Sequence, residues 1–218
     1  MVKTVIFDVD GTLLDSEKIY MGAWVKVGGQ YGYTIPQEAL LGTRAVRSSV
    51  AEAVFKKYCG EDFPYQEILM ARKGWIEEMF ETTPPEVLVF PHVRETLQWL
   101  KNKGYTIAAA SSTPYEKTCK HLRHAGLYDF FDAIVCGDMV ANGKPAPDIF
   151  LKAAELANTD PANCVVVGDT PADVLGASAA NIPVILIPDQ VPANEQTTAL
   201  SRCILENISQ LPQIIETM

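Results

Sequence analysis

Five short apolar runs constrain this chain more than any other feature: Thr4–Phe7, Thr106–Ala110, Ala133–Val135, Cys164–Val167 and Pro183–Ile187. Each is continuous rather than alternating, the pattern of a strand buried on both faces of a parallel sheet. Helix-like segments lie between them. Val93–Lys103 carries Val93, Leu97 and Leu100 at helical spacing and stops at Gly104, and Tyr115–Ala125 stops at Gly126. Pro147–Ala157 opens on a proline, which a first helical turn tolerates, with Asp148 placed to suit the helix dipole.

Strands alternating with helices predict an α/β fold with a doubly wound, Rossmann-like parallel sheet. Residues 16–87 break the rhythm. They hold no convincing strand and read as helices around Trp24–Tyr31, Arg47–Tyr58 and Tyr65–Phe80, ending in a linker-like Thr83-Pro84-Pro85. The expected organisation is therefore an α/β core of residues 1–15 and 88–218 with an all-helical cap, 16–87, inserted into it. Residues 188–202 read as a loop past the last strand, without an assigned role.

The polar residues that follow each run supply the chemistry. Asp8 and Asp10 follow the first, Ser111-Ser112-Thr113 the second, Gly143-Lys144-Pro145 lies beyond the third, and Gly168-Asp169-Thr170 with Asp173 follows the fourth. Ligands of open α/β sheets bind outside the carboxyl ends of the strands, so these residues are expected to converge. Singly, each has a plain structural use: a solvated acidic turn, a helix cap before Pro114, a surface lysine. Jointly, they form a set of carboxylates, hydroxyls and one lysine. Oxygen ligands without His or Cys suit Mg²⁺, and a lysine with hydroxyl donors suits a phosphate. That combination points to phosphoryl transfer, in which an aspartate is a known nucleophile and a second carboxylate moves protons.

Totals exclude several other classes. A formal net charge of −9 argues against nucleic acid as a partner, since that affinity rests on Lys and Arg neutralising phosphates. The 5 cysteines are spaced without any CxxC pair, which favours a reducing compartment and packing thiols over a disulfide framework. No apolar run approaches the roughly 20 residues of a membrane span, and Val2 already enters a strand, leaving no signal peptide. A cytoplasmic protein without membrane partners, monomeric by default, is the expectation.

Taken in order, "DVDGTLLD", "AAASST", "GKPAPDIF" and "VVVGDTPADV" resemble the four motifs of the haloacid dehalogenase superfamily of hydrolases. The helical insert resembles the cap of the subfamily that contains β-phosphoglucomutase and many sugar-phosphate phosphatases. The resemblance implies that Asp8 is nucleophile and Mg²⁺ ligand, and that Asp10 is the acid/base, meeting Mg²⁺ through its backbone carbonyl. It implies that Ser111, with Ser112 beside it, holds the phosphoryl group and that Lys144 braces this group and Asp8. Asp169 would bind Mg²⁺ directly and Asp173 would support the metal from further out. Asp10 itself favours phosphate chemistry, because dehalogenases of the superfamily lack that second aspartate.

The cap bears on the product. Sugar phosphomutases of this subfamily carry a histidine where this chain has Tyr20, and His92, His121 and His124 all lie outside the insert. A phosphatase acting on a small phosphorylated metabolite is therefore expected, with a β-phosphoglucomutase-type mutase as the alternative. Arg44 and Arg47, in "LLGTRAVRSSVAE", are candidates to meet the substrate. A response-regulator-like receiver is the remote rival, but its acidic pair is adjacent and its chain shorter, without an insert.

Overall fold

The computed structural model describes residues 1–43 and 48–218 of the chain, which separate into two compact units. The first comprises Met1–Asp15 with Pro84–Met218, the second Ser16–Thr83. In chain order the strands are β1 (Thr4–Phe7), β2 (Thr106–Ser111), β3 (Ala133–Cys136), β4 (Cys164–Gly168), β5 (Val184–Leu186) and β6 (Cys203–Ile204). The helices are α1 (Glu17–Gln30), α2 (Gln37–Gly42), α3 (Ser48–Cys59), α4 (Tyr65–Thr82), α5 (Pro85–Leu88), α6 (Val93–Asn102), α7 (Tyr115–His124), α8 (Asp148–Leu156), α9 (Pro171–Ala179), α10 (Glu195–Leu200) and α11 (Leu211–Ile215).

The first unit is built on one parallel six-stranded sheet in the order β3-β2-β1-β4-β5-β6. β1 lies inside it, with Thr4 registered on Thr106 of β2 and on Cys164 of β4. All four β1 residues are buried, as their unbroken apolar character requires. Alternate side chains point to opposite faces, and Ile6, Ala108, Ala110 and Val166 join Ile149, Phe150 and Ala153 of α8 and Val174 and Ala177 of α9 in one core cluster. Full burial of a side chain such as Phe150 contributes about 1.5–3 kcal/mol. The order places the ends of β1, β2 and β4 side by side, so the loops after them share one edge.

Three features of this unit differ from expectation. A sixth strand, β6, continues the sheet beyond the five apolar runs. It has only 2 residues and is half exposed, too short to leave a periodic signal. The expected loop 188–202 contains α10, which Asn194 starts by accepting the Thr197 N–H at 2.9 Å while its own N–H donates to Thr197 Oγ1. The linker-like prolines also differ in detail: Pro84 precedes the single-turn helix α5, with Pro85 inside its first turn, a position where the missing N–H costs nothing.

The second unit contains α1–α4 and no strand among the described residues. Its core is aromatic: Trp24 lies 4.2 Å from Phe55 and stacks on Tyr65 at 5.3 Å, and Phe55 stacks on Phe63 at 5.2 Å, all between ring centroids. α1 begins at Glu17, earlier than the Trp24 expected, and its buried face already starts at Ile19, continuing through Ala23 and Val27 at helical spacing. Among the described residues no helix is long and apolar enough to cross a membrane. All five cysteines are free thiols.

Candidate active site

Asp8 is the first residue past β1, and its N–H donates to Val167 O at 2.8 Å, so sheet pairing continues into the loop and fixes its backbone. The chain then turns at once. Gly11 adopts φ +89°, a left-handed conformation that a side chain disfavours, and its N–H reaches Leu14 O at 2.9 Å. Space is as demanding as torsion here: a Cβ on Gly11 would lie 2.4 Å from Asp169 Oδ2. Thr12, next in the turn, donates its hydroxyl to Asp169 Oδ1 at 3.0 Å.

Asp169 and Asp173 come from the far side of β1. Asp169 follows β4, and Thr170 caps α9, with Asp173 on the first turn. Thr170 donates both its hydroxyl, at 2.5 Å, and its N–H, at 3.0 Å, to Asp173 Oδ2. The carboxylate therefore satisfies two donors at a helix N-terminus, where negative charge is favoured. Gly168 is needed for this packing, since a Cβ there would meet the Asp173 side chain at 2.6 Å.

Lys144 joins the pieces. Its ammonium forms short ion pairs with Asp8 Oδ1 and, at 2.7 Å, with Asp173 Oδ1, and donates at 2.7 Å to Ala110 O of β2. The Lys144 side chain is only 4% exposed. Burial works against the ammonium, but the charges of Asp173 and Asp8 more than offset it and raise its pKa. Burial likewise pushes the Asp8 carboxyl up to about 8; Lys144 opposes this, while Asp173 and Asp10 add to it. Asp169 is raised for the same reasons, burial first and then Asp8 and Asp173, with Thr12 pulling the other way.

Oxygens of Asp8, Asp169 and Asp173 all lie within 4.8 Å of one another, and all three residues are buried. Three carboxylates against one lysine leave negative charge that burial penalises. A hard divalent cation with oxygen preference fits that donor set. Asp173, expected further out, contributes an oxygen to the same cluster and shares the lysine with Asp8.

Asp10 has different company. Its Oδ2 accepts from Thr113 Oγ1 at 3.1 Å and from Ser111 Oγ at 3.4 Å, both at the end of β2. Ser111 is buried, whereas Ser112 is exposed with its carbonyl directed at Gly137. The two aspartates of the first motif, one residue apart, thus face different partners: a lysine for Asp8, hydroxyls for Asp10.

Tyr20 belongs to the second unit, where its ring lies 5.8 Å from that of Phe80. Arg44 and Arg47 lie outside the described residues. Thr12 is a site residue that the sequence reading does not single out, although it sits inside the first motif, and Thr113, named with Ser111 and Ser112, has no role assigned to it by the sequence. For Thr12 the available signal was a hydroxyl two positions past Asp10, and for Thr113 a hydroxyl two positions past Ser111.

The chain matches the haloacid dehalogenase-like hydrolase family over residues 5–187. It is 33% identical over 186 residues to a phosphorylated carbohydrates phosphatase of Thermotoga maritima, covering 83% of this chain and 82% of that protein. It is 31% identical over 175 residues to a phosphoglycolate phosphatase of Aquifex aeolicus, covering 79% of this chain and 78% of that one. Among solved structures it superposes with a TM-score of 0.83, over 100% of both chains and at 25% identity, on a Thermotoga maritima protein provisionally assigned as a beta-phosphoglucomutase.

Proposed function

The chain belongs to the haloacid dehalogenase-like hydrolases and is a phosphatase of that family; from that premise we propose that it hydrolyses a small sugar phosphate through a phosphoryl group carried on Asp8. The observation that carries this reading is the division of labour between Asp8 and Asp10. Asp8 sits against Lys144, and its carboxylate belongs to the buried cluster with Asp169 and Asp173. Asp10 sits among hydroxyls. Two carboxylates held in such different surroundings suit two different tasks.

In this reading Asp8 attacks phosphorus in line while Asp10 gives a proton to the departing alcohol. Asp10, then a base, takes a proton from the water that hydrolyses the acyl phosphate. Ser111 donates to a phosphoryl oxygen, and Lys144 holds both Asp8 and the phosphoryl charge. Mg²⁺ is the cation assigned to Asp8, Asp169 and Asp173, and when bound it offsets the repulsion between an anionic nucleophile and an anionic ester. The Asp10 carbonyl is a further oxygen within the same loop.

A sugar phosphate is favoured because the Thermotoga maritima relative is a phosphatase of phosphorylated carbohydrates. Hydrolysis rather than isomerisation is favoured by Tyr20, which puts an aromatic ring packed on Phe80 where the mutases carry histidine. The test is phosphate release from a panel of phosphometabolites, with Mg²⁺ or with chelator, on the wild-type chain and Asp8→Asn. Turnover confined to wild type with Mg²⁺ is expected. Retained turnover in Asp8→Asn rules out the nucleophile, and efficient conversion of β-glucose 1-phosphate with a bisphosphate primer replaces the phosphatase reading with the mutase.

A further inference from the structure

We infer that Thr113 is the positioning residue of the acid/base carboxylate, holding the Asp10 side chain in place through its hydroxyl. This rests on the reading above that Asp10 is the proton carrier. Asp10 Oδ2 accepts the Thr113 hydroxyl at 3.1 Å, a shorter contact than the 3.4 Å from Ser111. Thr113 is itself held from both sides. Its N–H donates to Ser111 Oγ at 3.1 Å, and its carbonyl accepts at 3.2 Å from the hydroxyl of Thr118, a buried residue on the first turn of α7.

The two hydroxyls are not equivalent during the reaction. Ser111 has one hydroxyl proton, and once that proton is given to a phosphoryl oxygen it is withdrawn from Asp10. Thr113 needs no such exchange, so its hydroxyl continues to address Oδ2. The carboxyl of Asp10 is thereby kept in one orientation through both half-reactions. In the first half-reaction the Asp10 proton passes to the ester oxygen as the P–O bond to the alcohol breaks. The bond from Asp8 to phosphorus forms, leaving free alcohol, an acyl phosphate and Asp10 as carboxylate.

The consequence is specific to the leaving group. An alkoxide leaves poorly without a proton, whereas p-nitrophenolate leaves without help. The ratio kcat/KM reports events up to the first irreversible step, here alcohol departure, and so isolates the acid role. Thr113→Val, which keeps the branched shape and removes the hydroxyl, is expected to lower kcat/KM for a sugar phosphate by about 10- to 100-fold. For p-nitrophenyl phosphate it should change by no more than about 3-fold, and Thr113→Ser should restore most of the loss. Thr113→Ala serves as a second hydroxyl-free variant, with thermal melting to confirm folding. Equal losses on both substrates, or no loss on either, overturn the assignment. Asp10→Asn separates the two ideas. If it shows the leaving-group split and both hydroxyl-free Thr113 variants do not, the Thr113 inference alone fails. If Asp10→Asn lacks the split, the acid role of Asp10 fails with it.

Discussion

Gly11 and Asp169 come from loops far apart in the sequence, and the space a Cβ on Gly11 would take is the space Asp169 occupies, 2.4 Å from its Oδ2. The glycine also adopts φ +89°, so torsion and sterics exclude a side chain independently. Gly11→Ala should therefore cost about 1–3 kcal/mol of stability from the backbone alone and should displace Asp169 from the cluster. Chemical denaturation with phosphate-release kinetics checks both. A stable, fully active Gly11→Ala chain would show that neither constraint matters.

Thr12 orients the same carboxylate through its 3.0 Å hydroxyl bond. Partners of metal-binding carboxylates typically alter metal affinity by about 10- to 100-fold when removed. Thr12→Val should raise the Mg²⁺ concentration needed for half-maximal activity by that order while leaving kcat at saturating metal within a few-fold. The measurement is a Mg²⁺ titration of initial rates, and an unchanged midpoint would contradict it.

The excess of buried carboxylate predicts a pH effect in metal-free protein. Burial holds the Asp8 carboxyl up to about 8, against 3.8 for the unfolded chain. Between these values the folded state binds more protons than the unfolded one, so this contribution is complete below 3.8 and is lost as pH rises through 8. With chelator present, the stability of wild type relative to Asp8→Asn should decline across that window. A cation bound only by the folded state adds about 2.7 kcal/mol at 100 times its Kd and, competing with the proton for the carboxylate, should offset part of the decline. Urea melts with and without Mg²⁺ test this; parallel pH profiles for the two proteins would refute it.

Much of this was legible in the chain because buried parallel strands read as continuous apolar runs. β1 and β4 are plain from Thr4–Phe7 and Cys164–Val167, and the loops that follow them carry the site. β6, with 2 residues at the sheet edge, offers no such run. Side-chain direction is the other limit. The Thr170…Asp173 spacing announces a helix cap, yet nothing in it says that the free oxygen of Asp173 turns to Lys144 at 2.7 Å. Thr12 meeting Asp169 depends on the torsion of Gly11, a tertiary fact that local pattern does not encode. Thr113 was visible as a hydroxyl but not as a donor to Asp10, since that contact joins two strand ends.

His121 supplies a prediction of opposite sign to that of Asp8. It lies in the last turn of α7, where the helix dipole favours positive charge by about 0.3–1 kcal/mol. Its side chain is buried, and burial, followed by the charges of Lys117, Lys120 and His124, lowers its pKa from 6.5 to about 3. A shift of that size outweighs the dipole, at about 1.4 kcal/mol per unit. The folded chain keeps the imidazole neutral while the unfolded chain protonates it. Its contribution is therefore complete above 6.5 and is lost as pH falls toward 3. His121→Gln, which keeps a polar side chain without the titration, should be less sensitive to acid than wild type, the gap narrowing by up to about 1.4 kcal/mol for each unit below 6.5. Urea denaturation of both proteins at stepped pH measures it. A stability difference that does not change with pH would mean that His121 titrates in the folded protein as it does in water.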